Sequence, residues 1–120
     1  MNKKLLIVDD DLVLSHELSE MFIEDGHVVE MAGDGVKALE LINKNPYDVI
    51  LLDIKLPGMS GIEILKKLRD NPPKGNIFIV SGSPDAKKQL HAEGLSHLVK
   101  NIIAKPFDIQ FLLDMVKIAG

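Results

Sequence analysis

Cysteine is absent from the 120 residues, which excludes disulfides and thiolate metal sites and leaves the redox compartment unmarked. Long hydrophobic runs are missing as well. The apolar stretches fall far short of the roughly 20 residues that cross a bilayer, so no membrane partner is expected. The opening "MNKKLLIVDDD" meets acid after four apolar residues and lacks the pattern of a signal peptide, so a cytoplasmic location is expected. Runs of one charge, low-complexity segments and internal repeats are absent too. With 14 Lys and Arg against 18 Asp and Glu, the net charge is −4. Nucleic-acid affinity rests on clustered cations, so no nucleic-acid partner is expected.

What is present is an ordinary globular balance, 46% apolar and 27% charged, in a chain sized for one domain over residues 1–120. Short apolar runs alternate with longer amphipathic ones from end to end, the pattern of strands and helices around a parallel sheet. The spacing predicts strands over Lys4–Val8, His27–Met31, Asp48–Asp53, Asn76–Ser81 and Asn101–Ala104. The first, third and fourth are nearly continuous in Val, Ile, Leu and Phe, as central parallel strands are; the second and fifth are expected at the periphery. Helix ends are marked chemically. A first helix runs from Asp11 to about Asp25, with Gly26 as its left-handed cap. Asp34 caps a second, which stops at "NKNP". "SGIE" is a capping box flanked by a Met59/Ile64 staple, opening a third helix that ends near Asp70. Ser83 caps a fourth, with Pro84 as its first residue. Asp108 caps a fifth, with Ile109, Leu112, Leu113 and Val116 on one face. Residues 94–100 read either as a continued fourth helix broken at Gly94 or as a helix followed by an irregular turn.

In open parallel sheets, ligands bind beyond the carboxyl ends of the strands. Those ends carry Asp9, Asp10 and Asp11, then Asp53, then Ser81 with Gly82, then Lys105 with Pro106. Singly, each has an ordinary explanation: acids favour a helix N-terminus, a serine caps, a lysine is solvated. Together they gather several carboxylates, a hydroxyl and an ammonium at one rim. Carboxylates so placed repel unless a cation shares them, and an all-oxygen set with few protein ligands suits Mg2+. A lysine beside a metal and an aspartate suits a phosphoryl group. The histidines, His16, His27, His91 and His97, form no ligand motif and are expected at the surface.

"YDVILLDIKLPGMSG" poses the sharpest problem, because an aspartate ends a run of apolar residues that should be buried, immediately before a Pro-Gly turn. With "LLIVDDD", "AGDGVKAL", "IVSGS" and "AKPFD", this stretch resembles the receiver domain of bacterial response regulators over nearly the whole chain. The resemblance implies a doubly wound, flavodoxin-like α/β fold, with a five-stranded parallel sheet in the order 2-1-3-4-5 and helices on both faces. It implies that Asp53 is the phosphoacceptor and that Asp9 and Asp10 bind the metal, Asp10 directly, with Asp53 and the backbone carbonyl of Lys55 completing the ligands. Ser81 would hydrogen-bond the phosphoryl group, Lys105 would ion-pair with it, and the Lys105–Pro106 peptide would be cis. The implied partner is a sensor histidine kinase or a histidine phosphotransfer protein, and the implied product is an acyl phosphate on a signalling protein rather than an enzyme turnover.

Two positions depart from that family. Ile102 replaces an aromatic that changes rotamer on activation, and Leu98 and Val99 replace a Gly-Ala pair. Output is therefore expected through Ser81 and the fourth helix. The surface of the fourth helix, fifth strand and fifth helix would present Lys87, Lys88, His91, Lys100 and Gln110 to a downstream protein or a homodimer partner. Three other functions compete with this reading. An aspartyl-phosphate enzyme commonly needs a second acid where Lys55 stands, an FMN binder would find its phosphate repelled by Asp9–Asp11, and a docking-only receiver would not need the full set of site residues. The chain fits either a stand-alone receiver or a part of a larger regulator or hybrid kinase.

Overall fold

The computed structural model describes residues 2–119. Within them, strands β1 (Lys4–Val8), β2 (Val28–Ala32), β3 (Val49–Leu52), β4 (Asn76–Ser81) and β5 (Asn101–Ala104) alternate with helices α1 (Leu12–Glu24), α2 (Gly35–Lys44), α3 (Gly61–Leu68), α4 (Ala86–Ala92) and α5 (Ile109–Ile118). A 3-10 turn over Ser96–Leu98 separates α4 from β5. Every pairing is parallel, in the order β2-β1-β3-β4-β5, so the doubly wound α/β fold with β2 and β5 at the edges is as expected.

The three central strands show no polar alternation because each feeds two cores. Leu6, Val8, Ile50, Leu52, Ile77 and Ile79 face a core closed by α2, α3 and α4. Leu5, Ile7, Val49, Leu51, Phe78 and Val80 face another, closed by α1 and α5. Successive side chains on a strand point to opposite faces, so both must be apolar when helices cover both. Fully burying each such side chain contributes on the order of 1.5–3 kcal/mol, and this fixes the strand ends on which the polar residues sit.

Side-chain caps set most helix starts. Asp11, Asp34 and Asp108 accept from the backbone N–H groups of Leu14, Lys37 and Gln110. Gly26 has φ +93°, the left-handed turn after α1. Only half of the capping box forms: Glu63 N–H donates to Ser60 Oγ (3.2 Å), while the Glu63 carboxylate lies against that hydroxyl (3.4 Å). Ile64 is buried in the same core against which Met59 packs. On α5, Leu112, Leu113 and Val116 are buried and Ile109 packs beside them.

Several boundaries differ from the sequence reading. β2 begins one residue later, because His27 N–H closes the end of α1 on the Phe22 carbonyl (3.0 Å). β3 is shorter by one residue at each end, leaving Asp48 and Asp53 as flanks. α3 ends at Leu68 rather than near Asp70. Ser83 does not cap α4, nor is Pro84 helical. Residues 83–86 form a turn in which Ala86 N–H reaches the Ser83 carbonyl (3.4 Å), with proline in the second turn position that it favours. The segment after α4 follows the helix-then-turn alternative, with Gly94 at φ +69°. His27 is buried, whereas His16, His91 and His97 are exposed as expected. The Lys105–Pro106 peptide is cis.

Candidate functional site

Three strand ends converge on one cluster. Val8 pairs in register with Leu52, so the residues that follow, Asp9 and Asp53, leave adjacent strands side by side. Backbone N–H groups at this rim still complete the sheet, Asp9 donating to the Ala32 carbonyl and Asp53 to the Val8 carbonyl. Both carboxylates are buried, and Asp10 between them and solvent is exposed. One oxygen from each of Asp9, Asp10 and Asp53 lies within 4.8 Å of the others.

Lys105, just past β5, reaches back over the rim. Its Nζ donates to Asp9 Oδ2 (2.7 Å) and to Asp53 Oδ2 (3.0 Å). Partial burial pushes the ammonium pKa down, but the hydrogen bonds and charges of the two aspartates outweigh it, and the net direction is upward. The second oxygen of each aspartate is held locally: Asp9 Oδ1 accepts from Asp11 N–H (2.9 Å) and Asp53 Oδ1 from Lys55 N–H (3.2 Å). Lys55 is itself exposed and lies with Asp10, Leu56, Pro57 and Gln89 along an open groove beside the cluster.

The loops have room to meet the rim because two positions lack a side chain. A Cβ on Gly61 would lie 2.5 Å from the Asp53 carbonyl oxygen, and one on Gly35 would overlap the backbone of Met59. The first lets α3 start directly under Asp53, and the second lets α2 press on the loop that follows.

Ser81 ends β4 at the same rim and is buried, yet its hydroxyl accepts from Ser83 N–H (3.0 Å) and makes no hydrogen bond to the carboxylates or to Lys105. Of the residues singled out from sequence, Asp9, Asp10, Asp53 and Lys105 are thus in one cluster, Lys55 adjoins it through its backbone, and Ser81 is near but turned to its own loop. One feature of the site lies outside the residues singled out from sequence. Leu14, Lys105, Pro106, Phe107 and Ile109 line an apolar hollow next to the cluster. Its signal lies in Pro106, Phe107 and Ile109, apolar residues directly after Lys105 where a loop beside an acidic rim would ordinarily be polar.

The donor set fits a hard divalent cation. It is all oxygen and anionic, it has an exposed member open to water, and among the described residues its one paired cation is the Lys105 ammonium.

Comparison with known proteins agrees with this geometry. Residues 5–117 match the family described as the response regulator receiver domain. The chain is 37% identical over 117 residues to sporulation initiation phosphotransferase F of Bacillus subtilis, covering 98% of this chain and 93% of that protein. It spans about half the length of several other curated relatives that it matches. Among solved structures, the receiver domain of the Francisella response regulator 1452 superposes with a TM-score of 0.87 at 36% identity, covering 98% and 96% of the two chains. Response regulator protein TrrA of Thermotoga maritima, solved in complex with Mg(2+)-BeF, superposes at 0.80 with 27% identity and 96% coverage of each chain. A carboxylate cluster at the carboxyl rim, a lysine folded over it and a match along nearly the whole chain all converge: this chain belongs to the response regulator receiver domain family.

Proposed function

We propose that this domain, over residues 1–120, takes a phosphoryl group onto Asp53 from a phosphohistidine and passes the event on as a change of shape. The observation that carries the reading is the bridging of Asp9 and Asp53 by Lys105 inside a three-carboxylate cluster. An Asp53 oxygen attacks phosphorus in line. The new O–P bond forms as the P–N bond breaks, the electron pair leaves with the imidazole nitrogen, which takes up a proton, and Asp53 becomes an acyl phosphate. Lys105, already bonded to Asp53, would ion-pair with the transferred oxygens, and Ser81 would turn its hydroxyl from Ser83 toward them. Asp9, Asp10, Asp53 and the Lys55 carbonyl would hold Mg2+, which supplies positive charge against the phosphoryl oxygens. Hydrolysis of the acyl phosphate at the same site would reset the domain.

Receiver domains interact with histidine kinases or histidine phosphotransfer proteins. The apolar hollow of Leu14, Phe107 and Ile109 beside Lys105 supports a macromolecular donor, since it offers dry contact next to the reacting atoms. A kinase donor needs ATP, so the reading includes a cytoplasmic location. Among the described residues no helix is long and apolar enough to cross a membrane. Output, to a downstream protein or a homodimer partner, would run through α4, β5 and α5, where Lys87, Lys88, His91 and Gln110, with Lys100 just before β5, are all exposed.

The test is phosphorylation with acetyl phosphate, read by intact mass. A single phosphoryl adduct is expected with Mg2+, little without it, and none on Asp53→Asn with the fold intact. A stable adduct on the substituted protein would place the acceptor elsewhere.

A further inference from the structure

His27 lies on the turn from α1 to β2, at the end of the sheet opposite Asp53, and is the one buried histidine of the four. Its Nδ1 accepts from the backbone N–H of Lys3 (3.1 Å). A neutral imidazole that accepts through Nδ1 carries its proton on Nε2, and Nε2 is buried without a hydrogen-bond partner among the described residues. Phe22 packs edge-on against the ring, with centroids 6.1 Å apart. Lys3 extends the connection. Its Nζ donates to the carbonyls of Val116 (2.8 Å), Lys117 (3.2 Å) and Ala119, so an ammonium closes the last turn of α5, where a cation is favoured. The chain before β1, the α1–β2 turn and the end of α5 are thereby joined in series through two residues.

We propose that this series is a proton-operated latch on the C-terminal turn of α5, closed when His27 is neutral and opened when His27 is protonated. The imidazolium bears a proton on Nδ1 as well, which sets a donor against the Lys3 N–H, so the hydrogen bond is lost and both groups must turn to water. Displacing Lys3 withdraws its ammonium from the α5 carbonyls.

The charged groups around the ring are few. Asp25, the C-cap of α1, favours the imidazolium; Lys3, Lys117 of α5 and the amino-terminal charge oppose it. Burial is the largest influence, and the net direction is below the ordinary histidine value. The folded protein therefore binds this proton less readily than the unfolded chain. Stability from neutral His27 is fully present above about pH 6.5 and is lost as pH falls through the folded pKa.

The test follows the side-chain nitrogens of His27 by NMR from pH 8 to 5, together with hydrogen exchange of the residue 116–119 amides corrected for intrinsic rates. In the full chain, the Nε2–H tautomer is expected at high pH. As His27 protonates, exchange at the end of α5 should rise about tenfold or more, with Asp53 phosphorylation by acetyl phosphate unaffected at high pH. His27→Asn, whose Oδ1 can accept from Lys3 but cannot titrate, should keep slow exchange throughout. Lys3→Met, which leaves His27 in place, should exchange fast at every pH. Exchange that ignores His27 titration, an equal rise in His27→Asn, or slow exchange in Lys3→Met would each overturn the latch.

Discussion

Lys105 does two opposed things at one spot. By bonding Asp9 and Asp53 it lets two buried carboxylates remain side by side, and by occupying their oxygens it competes with the cation that those oxygens fit. Lys105→Met should therefore destabilise the metal-free protein at pH 7 by about 1–2 kcal/mol, less than the roughly 3–5 kcal/mol of breaking a fully buried pair because the ammonium side chain is 22% exposed. The same substitution should tighten Mg2+ binding. Urea denaturation and calorimetric titration would check the two halves, and unchanged Mg2+ affinity would show that the lysine does not compete. The raised pKa of Lys105 also gives a sign. Its contribution to stability should persist through the ordinary lysine range and fade only as pH climbs above about 10.5. At this scale the sequence was readable wherever a residue's position on a strand dictated its place: Asp9, Asp53 and Lys105 each follow an apolar run. It was unreadable where a hydrogen bond outside the strand pattern, from far along the chain or from the next turn, decides. His27 looks like a surface residue until Lys3 is packed over it, and the Ser81 hydroxyl is taken by Ser83, two residues along.

Among elements, α4 is the loosest joined to its start. Its seven residues have no side-chain cap, because Asp85 at the N-cap makes no such bond, and a half-exposed Lys66–Glu93 pair at 3.0 Å links it to α3. The turn that precedes it is held in part by Ser81 Oγ. If that hydroxyl rotates toward a phosphoryl group, Ser83 N–H loses its acceptor and the start of α4 is free to shift. Ile102, half-buried and packed on the core beneath α4, has no ring to swing. Chemical-shift mapping with a beryllofluoride analogue and Mg2+ should show the main displacements in residues 81–92, with small ones at Ile102. Changes confined to the metal-side loops would point instead to a phosphate sink that sends no signal. Helix starts announced by Asp or Ser at the cap were legible in Asp34, Ser60 and Asp108, while Asp11, read as the first residue of α1, is its cap. Ser83 misled because a proline after serine fits the second place of a turn as well as the first place of a helix.

For the molecule as a whole, cation binding and folding are linked, since an unfolded chain does not hold Asp9, Asp10 and Asp53 together. Mg2+ at about 100 times its dissociation constant should add about 2.7 kcal/mol to unfolding, seen as a rise in the urea midpoint that Asp10→Asn largely removes. The two edge strands and the helical layers were legible because β1, β3 and β4 are nearly continuous in Val, Ile, Leu and Phe while β2 and β5 are less so, whereas the full order came from the family resemblance. Strand ends were off by one residue because flanking acids such as Asp48 take part in strand-end bonding without entering the ladder. That alternation of strand residues between two cores has an evolutionary consequence. An inserted or deleted residue inside 49–52 would swap the two sets of side chains and turn Asp53 to the other side of the rim. Length changes along the lineage should therefore collect in the connections, such as residues 70–75, while the count from Tyr47 to Asp53 stays fixed, a parity that natural selection can keep only by forbidding single-residue indels there.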